Sequence, residues 1–406
     1  MTNSTMASAF LPYDIIGGIL CRLRVKDLLR LRCVSKAWCC LIDDPGFVKF
    51  HLSHFKTNAN LSLILRIRCG GLFSIRFDSP QTYQMLKPPF DESDEEGFDI
   101  LGSCNGLLGL VSRKDEISLW NPSTRRSRML PTARIMFSPR RLSFRVIFYG
   151  LGYDPISDDF KLVRLVQFSG RTGELFASEV KVYSLKTNSW RMIKDSPFYL
   201  KALRGVYGAL ANNALHWVGS EKPSDTRTII VAFDLGTEEY RAVELPDCLG
   251  GKFCVSLYDM RGCLCVIATH WEVGVIDIWI MKEYGVKESW IKFISIQQFP
   301  CSYLFPNVMP LFHFKNWESV LLNIDGEMFV YNLRSKWANK LGNEDWPTSL
   351  ETEIMVESLV PLNGNGATFD NKDEQHGGKK RRRKNTKHQH GGKKRRMISC
   401  PRELTN

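Results

Sequence analysis

Eight histidines and twelve cysteines are the residues with which this 406-residue chain could hold a metal or arm a nucleophile, and neither set is spaced for it. The cysteines stand at 21, 33, 39, 40, 69, 104, 248, 254, 263, 265, 301 and 400, without one C-x-x-C pair, so no zinc grouping emerges. His51 and His54 share a helical segment, and His216, His270 and His313 fall in separate strand repeats. His376, His388 and His390 lie near the C-terminus. Those in the strand repeats read as structural imidazoles. G-x-S-x-G, H-E-x-x-H and G-x-x-x-x-G-K-[ST] are absent. GYDPISDD at 152–159 is acidic but lacks the D-x-D-x-D-G spacing of a calcium loop. No catalytic, cofactor-binding or metal-ligating residue is assigned, and an enzyme is not expected.

The other chemistry-bearing group is a basic tail. The net charge is +12, but residues 379–396 hold eleven Lys and Arg, and without them the rest carries only +1. Lys379, Lys380, Arg381, Arg382, Arg383 and Lys384 form one cluster, and Lys393, Lys394, Arg395 and Arg396 a second. Two basic clusters on a polar spacer read as a signal for a nuclear import receptor, which gives nucleus and cytoplasm as the expected location. The alternative is a nuclear polyanion- or nucleic-acid-binding arm that neutralises phosphates. No aromatic residue interleaves, which disfavours base stacking and specific nucleic-acid recognition. No stretch approaches the roughly 18–20 apolar residues of a membrane span, so no membrane partner is expected. MTNSTMASAF lacks the pattern of a secretory signal, and the thiols are expected to stay reduced.

The elements that must position any site fall into two kinds. Residues 1–9 are small and polar, and read as disordered. Residues 10–56 read as short helices. Asp14 is placed to cap the first, whose face carries Ile15, Ile16, Ile19, Leu20 and Leu23. Leu28, Leu29 and Leu31 mark a second. Ser35 is placed as the N-cap of a third, with Trp38, Leu41 and Ile42 at i, i+3, i+4. Asp44-Pro45 opens a fourth, lined by Val48, Leu52 and Phe55.

From about residue 60 the apolar period becomes 2. Strands ending in Trp120, Tyr183, Phe233, Trp279 and Tyr331 recur at separations of 63, 50, 46 and 52 residues. A repeat near fifty residues is the length of a kelch-type propeller blade. Asn105-Gly106, Asn212-Asn213, Arg261-Gly262 and Asp325-Gly326 interleave as tight-turn pairs, giving two hairpins and four strands per repeat. Five blades are expected near 101–131, 146–194, 205–246, 252–298 and 305–345. A sixth is expected from 62–77 joined with 353–362, closing the ring and hiding its edges. The expected fold is mainly β: a small all-α cap, a kelch-like β-propeller of about six blades over 60–362, and a disordered basic tail over 363–406. DESDEE at 91–96 reads as a solvated loop. Trp190, Trp217, Trp279 and Trp290 are expected in blade cores, and target-reading residues on loops at one propeller face.

A helical cap of roughly forty residues is too small for a good core of its own. It must bury its apolar stripes on its own propeller or on a partner, and periodicity leaves both open. Here the chain resembles a family. Leu11-Pro12, Asp14-Ile15-Ile16, Ile19-Leu20, Arg22-Leu23, Val25-Lys26, Leu28-Leu29-Arg30, Arg32 to Lys36, Trp38, Leu41-Ile42 and Pro45 follow the plant F-box pattern. GSCNGLLG at 102–109, NPSTR at 121–125, YGLGYD at 149–154, Leu215-His216-Trp217 and VIDIW at 275–279 resemble the F-box-associated, kelch-like domain found with it. The resemblance covers about 11–360 and not the tail.

It implies a non-catalytic substrate receptor of an SCF ubiquitin ligase, which presents a bound target for ubiquitination and proteasomal degradation. The F-box would dock a Skp1-type adaptor and through it a cullin. By position, the adaptor-binding set is Leu11, Pro12, Ile15, Ile16, Ile19, Leu20, Leu23, Leu28, Leu31, Val34 and Trp38. The substrate is unknown from these residues; the resemblance points to intracellular immune receptors and to control of plant defence. Two departures stand out. Gly17-Gly18 replaces helix formers, and Arg24 replaces a proline that would fix φ at the entry to the second helix.

Overall fold

A computed structural model describes residues 13–362 of the chain, apart from 58–60, 68–70, 78, 91–96, 137–143, 171–175, 203–205, 248–252, 261, 298–307, 314–317 and 342–348. Both expected disordered ends, the DESDEE loop and the two basic clusters lie outside the described residues.

Four helices lead: α1 (Tyr13–Leu20), α2 (Val25–Leu31), α3 (Lys36–Asp43) and α4 (Pro45–Thr57). Ser35 caps α3, its Oγ accepting from the Trp38 N–H at 3.1 Å. Asp44 does the same for α4, accepting from the Phe47 N–H at 2.9 Å, with Pro45 in the first turn. Asp14 lies inside the first turn of α1 rather than before it.

Six antiparallel sheets follow as the blades of a propeller. Blades two to six run in sequence order and begin at Phe98, Phe144, Tyr199, Cys254 and Val308. Blade one takes Leu61–Ile67, Leu72–Arg76 and Ser79–Leu86 from the front of the chain, and its innermost strand, Ser349–Val356, from the back. Closure therefore joins both ends of the repeat region, as expected. Two details differ. Ser79–Leu86 is a third front strand that the sequence did not suggest, and 357–362 is irregular chain rather than strand.

The turn chemistry explains the regularity. Asn105 and Gly106, Asn212 and Asn213, and Asp325 and Gly326 all take positive φ, as tight hairpins of this hand require. In blades two, four and six the second hairpin has its own device. After the aromatic that ends the third strand comes a polar residue whose side chain folds the turn. Asn121 Oδ1 accepts from the Ser123 N–H at 3.0 Å, Asp234 Oδ1 from Gly236 at 2.8 Å, and Asn332 Oδ1 from Arg334 at 3.0 Å. The aromatics then meet across the outer strands: Tyr183 with Trp190 at 5.4 Å, and Phe233 with Tyr240 at 4.9 Å between centroids. Trp217, Trp279 and Trp290 are buried in blade cores, while Trp190 is half-buried and donates Nε1–H to the Pro131 carbonyl at 2.7 Å.

Closure is tied by polar groups as well as by strand pairing. Arg66 grips Glu351 through Nε at 2.8 Å and Nη2 at 2.9 Å, and reaches Asp99 of blade two at 3.0 Å. Glu351 and Glu353 of the closing strand accept from the Ile100 and Ser103 N–H groups at 2.9 and 3.0 Å.

Candidate adaptor-docking surface

The helical cap does two things with its apolar residues. Leu20, Cys21, Val25, Leu28, Ile42, Phe47, Val48, Leu52 and Phe55 are buried in one core, continuous with Leu101, Cys104 and Leu107 of blade two and Leu151 of blade three. Leu359, Val360 and Leu362 belong to the same core, wedged in after the closing strand. At about 1.5–3 kcal/mol per fully buried large side chain, this interface fixes the cap on the propeller.

Polar contacts set the seat. His51 has no exposed surface; its Nε2 lies 2.9 Å from the Leu23 carbonyl, and its ring stacks on Phe55 at 4.2 Å. Burial holds the imidazole below its usual pKa, so the neutral ring donates Nε2–H. Lys49 of α4 pairs with Asp158 of blade three at 2.8 Å. Arg24 pairs with Glu357 of the closing segment. Arg24 is also the residue before α2, at φ −70°. Proline would hold the same φ, so the backbone shape survives, and the arginine adds a tie that proline cannot make.

Other residues are left bare. Ile15 is 49% exposed, Ile19 52% and Val34 60%. Residues 33–37, from the link after α2 into the first turn of α3, are exposed throughout. Ile16, Leu23, Leu31 and Trp38 lie between, half-buried against the shared core. Leu20 and Leu28 are a correction to the expected docking set. They are 1% and 0% exposed, because each turns onto the inward stripe and packs in the cap's own core. Leu11 and Pro12 lie outside the described residues. Phe50, not in the expected set, stands exposed on α4. Its signal was in the sequence, since it falls off the 48–52–55 stripe that turns inward.

Several of the residues first considered for chemistry are occupied structurally. Asp154 pairs with Lys161 at 2.9 Å and accepts from the Ile156 N–H at 2.9 Å, making GYDPISDD a self-satisfied hairpin. His216 is fully buried between the Ala209 carbonyl at 3.1 Å and the Tyr284 hydroxyl at 2.6 Å. Burial pushes it down to about 4. Burial likewise pushes the Cys104 thiol up to about 12, where it is no nucleophile. Among the described residues no group of three or more His, Cys, Asp or Glu could hold a metal ion, and no helix is long and apolar enough to cross a membrane.

Comparison with known families agrees with this geometry. The F-box domain matches residues 10–50, and the F-box associated beta propeller domain matches 64–360. The chain belongs to the F-box proteins that carry an F-box-associated propeller. Among its relatives in Arabidopsis thaliana, F-box protein CPR1 is 35% identical over 371 residues, covering 87% of this chain and 89% of that one. F-box protein At4g22390 is 31% identical, covering 86% and 90%. F-box/kelch-repeat protein At3g23880 is 28% identical, covering 70% and 79%. The F-box domain implies a Skp1 and cullin partnership, and proteins of this architecture are typically non-catalytic adaptors for substrates.

Proposed function

We propose that this chain is the substrate-recognition subunit of an SCF ubiquitin ligase. The observation that carries the reading is the pair of bare isoleucines on α1, Ile15 and Ile19, with Val34 beyond α2, on a cap whose other side is fixed to the propeller. An adaptor covering that side would hold the propeller at a set distance from the ubiquitin-charged enzyme. Catalysis is then by proximity, through a raised effective concentration of target lysines.

The target meets the propeller face opposite the cap. Turns between first and second strands, such as that at Asp158, lie at the cap, so turns between second and third strands lie at the far end. One of these presents exposed Trp271 and Val273. We take the target class to be intracellular immune receptors, which places the protein in plant defence; the support is the resemblance alone. The tail clusters at 379–384 and 393–396 support import and a nuclear as well as cytoplasmic location. The kelch-like label rests on the repeat near fifty residues.

Affinity capture with the proteasome blocked tests this, comparing the full chain with an Ile15→Ala/Ile19→Ala variant. Targets should accumulate on the variant, which still binds them but cannot pass them to the ligase. Equal recovery of every protein on both baits contradicts the reading. The second reading, polyanion binding by the tail, predicts that deleting 377–396 abolishes function rather than only relocating the protein.

A further inference from the structure

The cap rests on a segment from the far end of the chain. After the closing strand Ser349–Val356, residues 357–362 run on as irregular chain, yet Ser358, Leu359, Val360 and Leu362 are all buried. A buried stretch outside any strand ladder must have its backbone groups met by other means. Asn121 of blade two meets two of them, donating to the Ser358 and Val360 carbonyls, and Ser358 Oγ accepts from the Val360 N–H at 3.1 Å. This strap is thus pinned to the propeller.

Its side chains serve the cap. Leu359, Val360 and Leu362 share one core with Leu20, Val25, Leu28, Val48 and Phe55. Glu357 pairs with Arg24, 333 positions earlier, at the entry to α2. It also acts electrostatically on the buried His51. The F-box match ends at residue 50, so the cap that carries Ile15, Ile19 and Val34 is completed by residues far outside it. About forty helical residues make a poor core alone. Pairing of Leu61 with Val356 sets Glu357 beside the cap, so the strap comes into place as the ring closes.

We propose that residues 357–362 are a positioning element for adaptor docking: the cap presents Ile15, Ile19 and Val34 in docking geometry only once the propeller is complete. A chain still being made, or one cut short before 357, carries every F-box residue yet leaves the adaptor free. The inference deepens the ligase reading and rests on it.

The test uses the full chain with Leu359→Ala/Leu362→Ala, and Leu322→Ala as its control. Leu322 is fully buried in the core of blades five and six, which holds no cap residue. Both variants lose buried leucine side chains, so both should melt earlier. Only the strap variant should bind a purified plant Skp1-type adaptor more weakly, by at least about tenfold, because apparent affinity falls with the fraction of caps in place. Amide exchange should quicken across 13–57 in the strap variant and not in the control. Arg24→Glu or Glu357→Arg alone should quicken exchange in α2 by about fivefold, the worth of one good ion pair, and the two together should restore it. Should the leucine variant fail to fold, this reciprocal pair carries the test. Unchanged adaptor affinity in the folded strap variant, equal weakening by Leu322→Ala, or exchange in α2 that the single reversals do not move or the pair does not restore overturns the proposal alone. An intact chain that binds no adaptor overturns the ligase reading, and the proposal with it.

Discussion

Leu28 has no exposed surface, whereas Ile15 is half bare, and the two are expected to respond differently to truncation. Leu28→Ala should cost about 2–5 kcal/mol of stability, as deletion of a buried leucine does when the cavity cannot collapse. Chemical denaturation measures this, and a loss below about 1 kcal/mol contradicts the burial. The sequence could not separate the two, because α1 and α2 are short and both apolar faces lie within one turn of each other. His216 makes a second prediction at this scale. With its pKa down near 4, it stays neutral where an unfolded histidine, near 6.5, would charge. The stability it contributes is full above about pH 6.5 and is lost as pH falls toward 4. Asp259 and Glu353, both raised, contribute the opposite slope over that window, so total stability is a poor readout. The His216 ring resonance is the direct one. It should not shift between about pH 7.5 and 5.5, and a midpoint near 6.5 would show that it is solvated.

Among the elements, α1 carries the weakest local code. Gly17 and Gly18 sit mid-helix, and a Cβ added at either meets nothing within 4 Å. Each Gly→Ala change should therefore stabilise α1 by up to about 1 kcal/mol, seen as slower amide exchange across 15–20. No change in exchange would mean that packing, not helix propensity, limits α1. The blades were far more legible. Turn pairs such as Asn105-Gly106 and aromatics such as Tyr183 mark each hairpin locally, and the caps Ser35 and Asp44 mark helix starts. What escaped was Ser79–Leu86, whose Pro80, Gln81, Thr82 and Gln84 break the apolar alternation. The role of Asn121, Asp234 and Asn332 also went unread, although each directly follows the aromatic that marks the repeat.

The whole molecule depends on its two ends meeting. The innermost strand of blade one is Ser349–Val356, and 357–362 then enters the core shared with the cap. Asn121 Nδ2 holds that segment through the Ser358 and Val360 carbonyls at 3.1 and 3.0 Å. Gly106 lies close against it: its φ is +83°, and a Cβ there would sit 2.5 Å from the Ser358 side chain. A chain ending at 366 should melt with the full-length protein, while one ending at 348 should aggregate, its ring open and its edges bare. Thermal unfolding and size-exclusion chromatography distinguish these, and a soluble, monomeric 1–348 would contradict the closure. The sequence disclosed the architecture but not the seat of the cap. Lys49–Asp158 and Arg24–Glu357 join residues more than a hundred positions apart, which no local pattern encodes.

The central claim is that one side of the cap is left bare for an adaptor. Its most direct test is the affinity of the full chain for a purified plant Skp1-type protein, before and after Ile15→Ala/Ile19→Ala. At about 1.5 kcal/mol or more for each truncated anchor, the double change should weaken binding by about a hundredfold or more, with the melting temperature unchanged. Unaltered affinity in that variant would place the adaptor elsewhere and contradict the account.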